Sequence, residues 1–377
     1  MKTKVAIIGT TAQTLLVFRA DLIKQLIKEG ITVFAFAMDF DELSMERIRK
    51  LGATPVAYSL SRYGLNPAAD LIHAWQLSRK LRDFQIDIVF SYFSKPVIFG
   101  GLAARLAGVK RCVGMLEGLG YTFTPTQQFS FKRWFARHVQ VLLYRCILPR
   151  LDKVIFLNKD DQHDLLERHC IKVKDALVLG AIGLDLNDYG YSPAPQSPFR
   201  FIFIGRLLEE KGILFYLNAA EAIKKIHPDV VFTVLGQMEK KGNSKKLTER
   251  FLKCQSEGVI EFPGQVDNVA EWLTLSSVFV LPSYYREGFP RSTQEAMAVG
   301  RPVITTNVPG CRDSVIDGST GFIVEPNDVQ ALIDKMLWFI ENSEAVESMG
   351  RAGREFAVLY YDAEKINTRL IQAIFDN

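Results

Sequence analysis

The chain has 377 residues, 48% hydrophobic and 23% charged, with 26 Gly and 15 Pro; it is neither disordered nor collagenous and is long enough for two domains. Its five cysteines, Cys112, Cys146, Cys170, Cys254 and Cys311, are widely spaced without a CxxC pair, so neither a disulfide framework nor a zinc site is encoded. The net charge of +4 is uneven: residues 1–188 carry 26 Lys and Arg against 18 Asp and Glu, residues 189–377 carry 20 against 24, so the first half either meets an anionic partner or holds scattered solubilising charge.

Met1-Lys2-Thr3-Lys4 leads into an apolar run that ends at Gly9, too short for a secretory signal. With no run of 18 apolar residues anywhere, the chain reads as cytoplasmic and not membrane-spanning. A strand over 5–8 ends in the loop Gly9-Thr10-Thr11-Ala12-Gln13, and Leu16, Leu22, Ile23, Leu26 and Ile27 then recur at near-helical spacing. A strand over 31–37, helices over 41–50 and 69–84, a strand over 86–90 and a helix over 98–107 follow; this alternation predicts a parallel α/β sheet. Asp39-Phe40-Asp41 has the DxD form of a Mg²⁺ site, but after a strand it more plausibly starts a helix, and no metal is assigned. The five histidines form no HExxH or cluster.

Residues 112–116 read as a short strand that delivers Glu117 and Gly118 to a carboxyl end, where Glu117 reads as a cleft residue rather than a polar turn residue. Over 129–145, basic and large apolar residues interleave on a helical pattern, suited to the headgroup layer of an anionic membrane or to a packed core face. A segment at 189–198 with three prolines and no periodicity reads as a linker, dividing the chain into 1–190 and 191–355. The strand-helix rhythm restarts at 199–204, with further strands over 230–235 (ending at Gly236), 259–262, 278–281 and 302–305, and helices over 214–226, 328–341 and from 345 onward.

Two motifs in this second half carry the chemistry. In Gly205-Arg206-Leu207-Leu208-Glu209-Glu210-Lys211-Gly212, a strand end presents Arg206 as a fork and Lys211 as a point charge for a diphosphate; a solvated Glu-Lys turn is the alternative. In Glu287-Gly288-Phe289-Pro290-Arg291-Ser292-Thr293-Gln294-Glu295, a helix beginning near Ser292 offers unpaired amides to a phosphate, with Glu287 towards a sugar and Glu295 towards ribose hydroxyls. Ser292 and Glu295 also have capping-box spacing, which leaves Glu287 unexplained.

These residues, followed by Gly300-Arg301-Pro302-Val303-Ile304-Thr305 and Gly310-Cys311…Asp317-Gly318…Gly321-Phe322, resemble the C-terminal half of the retaining family-4 glycosyltransferases of GT-B fold. The resemblance implies two doubly wound Rossmann-like domains facing a cleft, with a last helix at about 356–377 packing back on the first domain. It implies that Arg206 and Lys211 hold the donor diphosphate, Glu287 the transferred sugar and Glu295 the ribose, with Gly9, Gly205, Gly236, Gly288, Phe289, Pro290, Ser292 and Thr293 lining the donor. In the first half, Phe18-Arg19, Ser61-Arg62…Leu65-Asn66-Pro67 and Glu117-Gly118-Leu119-Gly120 are similar to bacterial enzymes that extend polyprenyl-diphosphate-linked sugars, such as N-acetylgalactosaminyltransferases. Many family-4 enzymes have a cleft His where this chain has Glu117. Thr10, Thr11, Arg19, Lys95, Glu117 and Gly118 are the acceptor candidates, and Arg206, Lys211, Glu287 and Glu117 the catalytic ones, with no metal and no cofactor beyond a UDP-sugar substrate.

The expected function is a retaining transfer of GalNAc, GlcNAc or a related hexose from a UDP-sugar to a lipid-linked saccharide in surface-glycan assembly. The enzyme would be peripheral on the inner face of an anionic membrane. A nucleotide-sugar epimerase and a non-catalytic binding subunit are the rivals. Nucleic acid is not expected as a partner, since the basic half holds no recognised module.

Overall fold

A computed structural model of the chain describes residues 2–60, 67–125, 129–238 and 244–376. Of the sequence motifs, Ser61, Arg62, Leu65 and Asn66 lie outside the described residues. The chain divides into one unit of Met1–Ile182 with Ala363–Asn377 and a second of Gly183–Asp362.

The first unit runs β1 (Lys4–Ile8), α1 (Ala12–Phe18), α2 (Ala20–Lys28), β2 (Thr32–Ala37), α3 (Glu42–Lys50), β3 (Thr54–Ala57), α4 (Pro67–Asp83), β4 (Ile88–Tyr92), α5 (Gly101–Ala107), β5 (Arg111–Leu116), α6 (Phe131–Ile147), β6 (Lys153–Phe156), α7 (Lys159–Gln162) and β7 (Ala176–Val178). Its seven-stranded sheet has the order β3-β2-β1-β4-β5-β6-β7. Neighbouring strands pair in parallel, as in β1 with β2 and with β4. The central strands are buried along most of their length, β4 at every residue, because helices cover both faces; this is why they read as apolar runs without alternation.

The periodic pattern after Gly9 predicts one helix, yet two form. Arg19, at φ −128° and ψ 0°, breaks the turn between α1 and α2 and is 1% exposed. Asp41 caps α3, its Oδ1 accepting from Ser44 N at 2.8 Å, while Asp39 Oδ1 accepts from Ala12 N at 2.7 Å. Both DxD carboxylates therefore serve backbone amides. All five cysteines are unbridged.

The second unit runs β8 (Arg200–Ile204), α8 (Ile213–Lys224), β9 (Val231–Leu235), α9 (Lys245–Ser256), β10 (Glu261–Gly264), α10 (Val269–Thr274), β11 (Val278–Leu281), α11 (Arg291–Val299), β12 (Val303–Thr306), β13 (Gly321–Val324), α12 (Val329–Glu341) and α13 (Ser343–Tyr360). Its six strands pair in the order β10-β9-β8-β11-β12-β13. The proline-rich segment is tied to this unit: Ser192 N donates to Val299 O at 3.1 Å, and the fully buried Arg301 donates to the carbonyls of Ser276 and Ser192. The helical pattern from 345 onward is interrupted after Tyr360, and the last helix, α14 (Ala363–Phe375), belongs to the first unit. There Gln25 Nε2 on α2 donates to Thr368 Oγ1 at 3.1 Å, and Arg111 Nε donates to Ile374 O at 2.6 Å.

Candidate functional site

In the second unit, the carboxyl end of β8 gives Gly205 and the exposed Arg206, and a single 3₁₀ turn over Glu209–Lys211 brings Lys211 back above the sheet. Gly212 closes that turn at φ +80°, where an added Cβ would lie 1.9 Å from Pro282 O, so only glycine lets the loop rest on the end of β11. Gly236 has the same constraint at the end of β9: φ is +143° and a Cβ would lie 1.8 Å from Gly205 O. Two strand ends are thereby held backbone to backbone beneath Arg206.

Lys211 Nζ makes an ion pair with Glu287 Oε1, although the two residues are 76 apart in sequence. Ser283, fully buried at the end of β11, donates to the same oxygen at 3.1 Å. The loop between them is pinned by Tyr284 N and Tyr285 N, which donate to Glu210 O at 2.9 and 3.0 Å. The result is a lysine and a glutamate side by side, 14% and 10% exposed. Below them the Cys311 thiol is pushed up to about 12 by burial and by Glu287, so it is a neutral packing group.

Helix α11 starts at Arg291, one residue before the expected position, with Pro290 as its N-cap. Proline has no side-chain cap to offer, and the capping box suggested by Ser292 and Glu295 does not form. The first-turn amides therefore have no acceptor within the helix. Thr293 is fully buried in that turn, and its Oγ1 has no hydrogen-bond partner among the described residues.

Glu295 turns instead to Arg291 Nε at 2.9 Å and to the Tyr189 hydroxyl, which donates to its Oε1 at 2.9 Å. A cation at a helix N-terminus opposes the helix dipole. Burial also works against the charged guanidinium, but Glu295 and Tyr189 beside it more than offset that, and Arg291 titrates above its ordinary value. Burial, and then Glu295, push the Tyr189 hydroxyl well up, so it stays a donor. Tyr189, Ser283 and Arg291 were not singled out by sequence. Arg291 lay inside the motif, where its charge at a helix start was a signal; Tyr189 and Ser283 carry no local pattern.

In the first unit, Gly9 follows β1, and its carbonyl accepts from the Tyr58 hydroxyl at 2.7 Å. Thr10 O accepts from Met38 N at 3.1 Å, and Thr11 caps α1 by a reciprocal bond with Thr14. Glu117 stands at the end of β5, followed by Gly118 at φ +94°. The two expected acceptor cations are paired with carboxylates. Arg19 meets Glu117, its guanidinium carbon 4.6 Å from the centroid of the Tyr92 ring, and Lys95 Nζ lies 3.2 Å from the buried Asp70. Arg19 thus faces Glu117 from inside the unit, where a phosphate would have to displace a buried carboxylate to reach it. Among the described residues no group of three His, Cys, Asp or Glu is placed to hold a metal ion, and no helix is long and apolar enough to cross a membrane.

A family model described as "Glycosyl transferases group 1" matches residues 191–356, and one described as "Glycosyltransferase Family 4" matches residues 17–178. The chain is 25% identical over 369 residues, 94% of each chain, to an N,N'-diacetylbacillosaminyl-diphospho-undecaprenol alpha-1,3-N-acetylgalactosaminyltransferase of Campylobacter jejuni. It is 30% identical over 295 residues, 76% of this chain and 75% of the relative, to an uncharacterized glycosyltransferase of Methanocaldococcus jannaschii. In fold it is similar to Anabaena HepE, crystallised with UDP and glucose, at a TM-score of 0.78 over 98% of each chain and 18% identity.

Proposed function

The chain belongs to the group 1, family 4 glycosyltransferases of GT-B fold, and from that premise we propose that it transfers GalNAc, GlcNAc or a related hexose from a UDP-sugar to a polyprenyl-diphosphate-linked saccharide at an anionic membrane surface, with retention of configuration. The observation that carries the reading is the meeting of Lys211 with Glu287 beside the uncapped first turn of α11. A nucleotide-sugar places negative phosphates between two hydroxyl-rich rings. This site sets cations and the first-turn amides of α11 between two carboxylates.

In the proposed mechanism, Arg206 and Lys211 take the diphosphate, together with the α11 amides and Thr293 Oγ1. Glu295, oriented by Arg291 and Tyr189, accepts from the ribose hydroxyls, and Glu287 from the hydroxyls of the transferred sugar. As the bond from the anomeric carbon to the diphosphate oxygen breaks, negative charge grows on that oxygen, and Lys211 and Arg206 are already in place to stabilise it. The acceptor hydroxyl attacks from the same face and gives its proton to the departing phosphate oxygen. Glu117, buried in its pair with Arg19, is given no step in the transfer. Protein cations take the charge-neutralising role, with no metal assigned to it.

The acceptor class comes from the acceptor named for the Campylobacter relative and from the basic first half of this chain. The test begins with melting temperatures of the purified protein in UDP, GDP, ADP and their sugar conjugates, since a ligand of the folded state raises the midpoint. One nucleotide-sugar series should raise it in the wild type and not in Lys211→Ala. Radiolabelled transfer to an undecaprenyl-diphosphate-linked saccharide, with EDTA present and the product anomer read by NMR, completes it. Absence of both shift and transfer would overturn the reading, and conversion of the donor sugar without acceptor would replace it by the epimerase.

A further inference from the structure

Helix α6 carries a stripe of side chains at Phe131, Trp134, Phe135, His138, Leu142 and Arg145, spaced to share one helix face. Its large apolar members are turned outward: Phe131 is 66% exposed, Phe135 54% and Leu142 59%, while the packed face is held by Arg133, Val141, Tyr144 and Ile147. An exposed apolar stripe of this size on a folded unit marks a surface that meets something. The charge pattern narrows what that is. The helix has no acidic residue at all, against Lys132, Arg133, Arg137 and Arg145. Arg133 is structural, donating to the carbonyls of Tyr121 and Thr124; Lys132 and Arg145 are exposed and Arg137 half-buried.

A cavity of about 310 Å³ opens beside this face, lined by Arg137, His138, Val141, Leu142, Arg145 and His169. Two guanidiniums and two imidazoles converge on it. Arg145 is anchored by donating to His169 O at 2.9 Å, and Arg137 lies over the Phe123 ring at 4.7 Å. His138 Nδ1 bonds the Trp134 carbonyl at 2.8 Å, which fixes the hydrogen there and leaves Nε2 to become a donor on protonation. His169 Nε2 is shielded from solvent and has no hydrogen-bond partner among the described residues. The nearby acids are already engaged, Asp164 with Arg168 and Glu167 with His163.

We propose that this face of α6 docks on an anionic phospholipid surface, the aromatic stripe lying among the headgroups and the basic pocket taking one headgroup phosphate. The proposal rests on the reading that the acceptor is a membrane lipid, and it adds a lipid site remote in kind from the donor and acceptor candidates. Aromatic residues suit the headgroup layer because each joins an apolar body to a polar edge, and guanidinium and imidazolium groups match phosphate oxygens. A pH dependence follows. Burial first, then Arg137, Arg145 and His138, hold His169 below its ordinary value against the opposing Asp164, so the unbound pocket resists protonation. A phosphate reverses that field, so docking takes up a proton and strengthens as the pH falls.

The test is flotation of the full chain on phosphatidylcholine vesicles with and without phosphatidylglycerol, with no lipid-linked acceptor present. The wild type should float with the anionic vesicles only, and more strongly at about pH 6 than at about pH 7.5. Trp134→Ser with Phe135→Ser should lower partitioning about tenfold or more. His138→Gln with His169→Gln should lower it about fivefold and abolish the pH effect, while His138→Arg retains binding. These variants should transfer sugar normally to a water-soluble acceptor analogue, so loss of docking and failure of the transferase reading are separate results. Equal flotation on both vesicle types, flotation that requires the lipid-linked acceptor, or pocket variants that float like the wild type would each overturn the proposal. So would inorganic phosphate shifting the His169 ring resonances while anionic vesicles leave them unmoved.

Discussion

Each unit holds an ion pair at the carboxyl ends of its strands, and the two pairs differ in reach. Lys211 and Glu287 are 14% and 10% exposed, with a serine and backbone amides around them. Arg19 and Glu117 are 1% and 6% exposed, with the Tyr92 ring against the guanidinium. On the proposed reading, an arriving ligand inserts into the first pair and takes over both partners. The second is closed to it: breaking that pair leaves a buried charge without its counter-ion, which costs more than the pair contributes. A cation–carboxylate pair is thus a partly open contact in one unit and a buried strut in the other.

The largest expected effect lies at Lys211. Lys211→Ala should lower kcat/KM about a thousandfold and abolish stabilisation by nucleotide-sugars, because the charge on the departing diphosphate loses a positioned partner; a loss below about tenfold would make the pair structural. Arg19→Met should instead act on the fold, lowering unfolding free energy in urea by about 3 kcal/mol. Adding Glu117→Gln should restore most of it, and no restoration would mean that the two side chains are not coupled. Glu287→Gln keeps the shape but removes the carboxylate, and should reduce kcat about a hundredfold while nucleotide alone still stabilises the protein. The smallest effect belongs to Tyr189→Phe. It deletes one hydrogen bond to Glu295 and should raise the donor KM about fivefold with little change in kcat; a change confined to kcat would place Tyr189 elsewhere in the cycle.

The second unit was the more legible because its chemistry is local. Strands over 278–281 and 199–204 end in glycine- or proline-marked loops, and Glu287 and Glu295 lie within one loop and helix. What sequence missed is non-local or short. Tyr189 meets Glu295 across 106 residues and Arg19 meets Glu117 across 98, and no window reads such a pair. Strand β3 holds Pro55, which an edge strand tolerates and which conceals it from pattern reading, while β7, at the other edge, is three residues long. Ser292 and Glu295 have capping-box spacing, but Pro290 occupies the cap position, so no capping box forms and Glu295 pairs with Arg291 and Tyr189.

The pairing of Lys211 with Glu287 has one more consequence, for selectivity among the small anions of a cell. A lysine already neutralised by an internal carboxylate is a poor trap for free phosphate, which would win the ammonium only by leaving Glu287 without its counter-ion. A molecule that offers phosphate oxygens to Lys211 and hydroxyls to Glu287 at once satisfies both and meets no such penalty. On the proposed reading, the pair therefore favours a ligand that offers both chemistries in the right order over abundant ions that offer one.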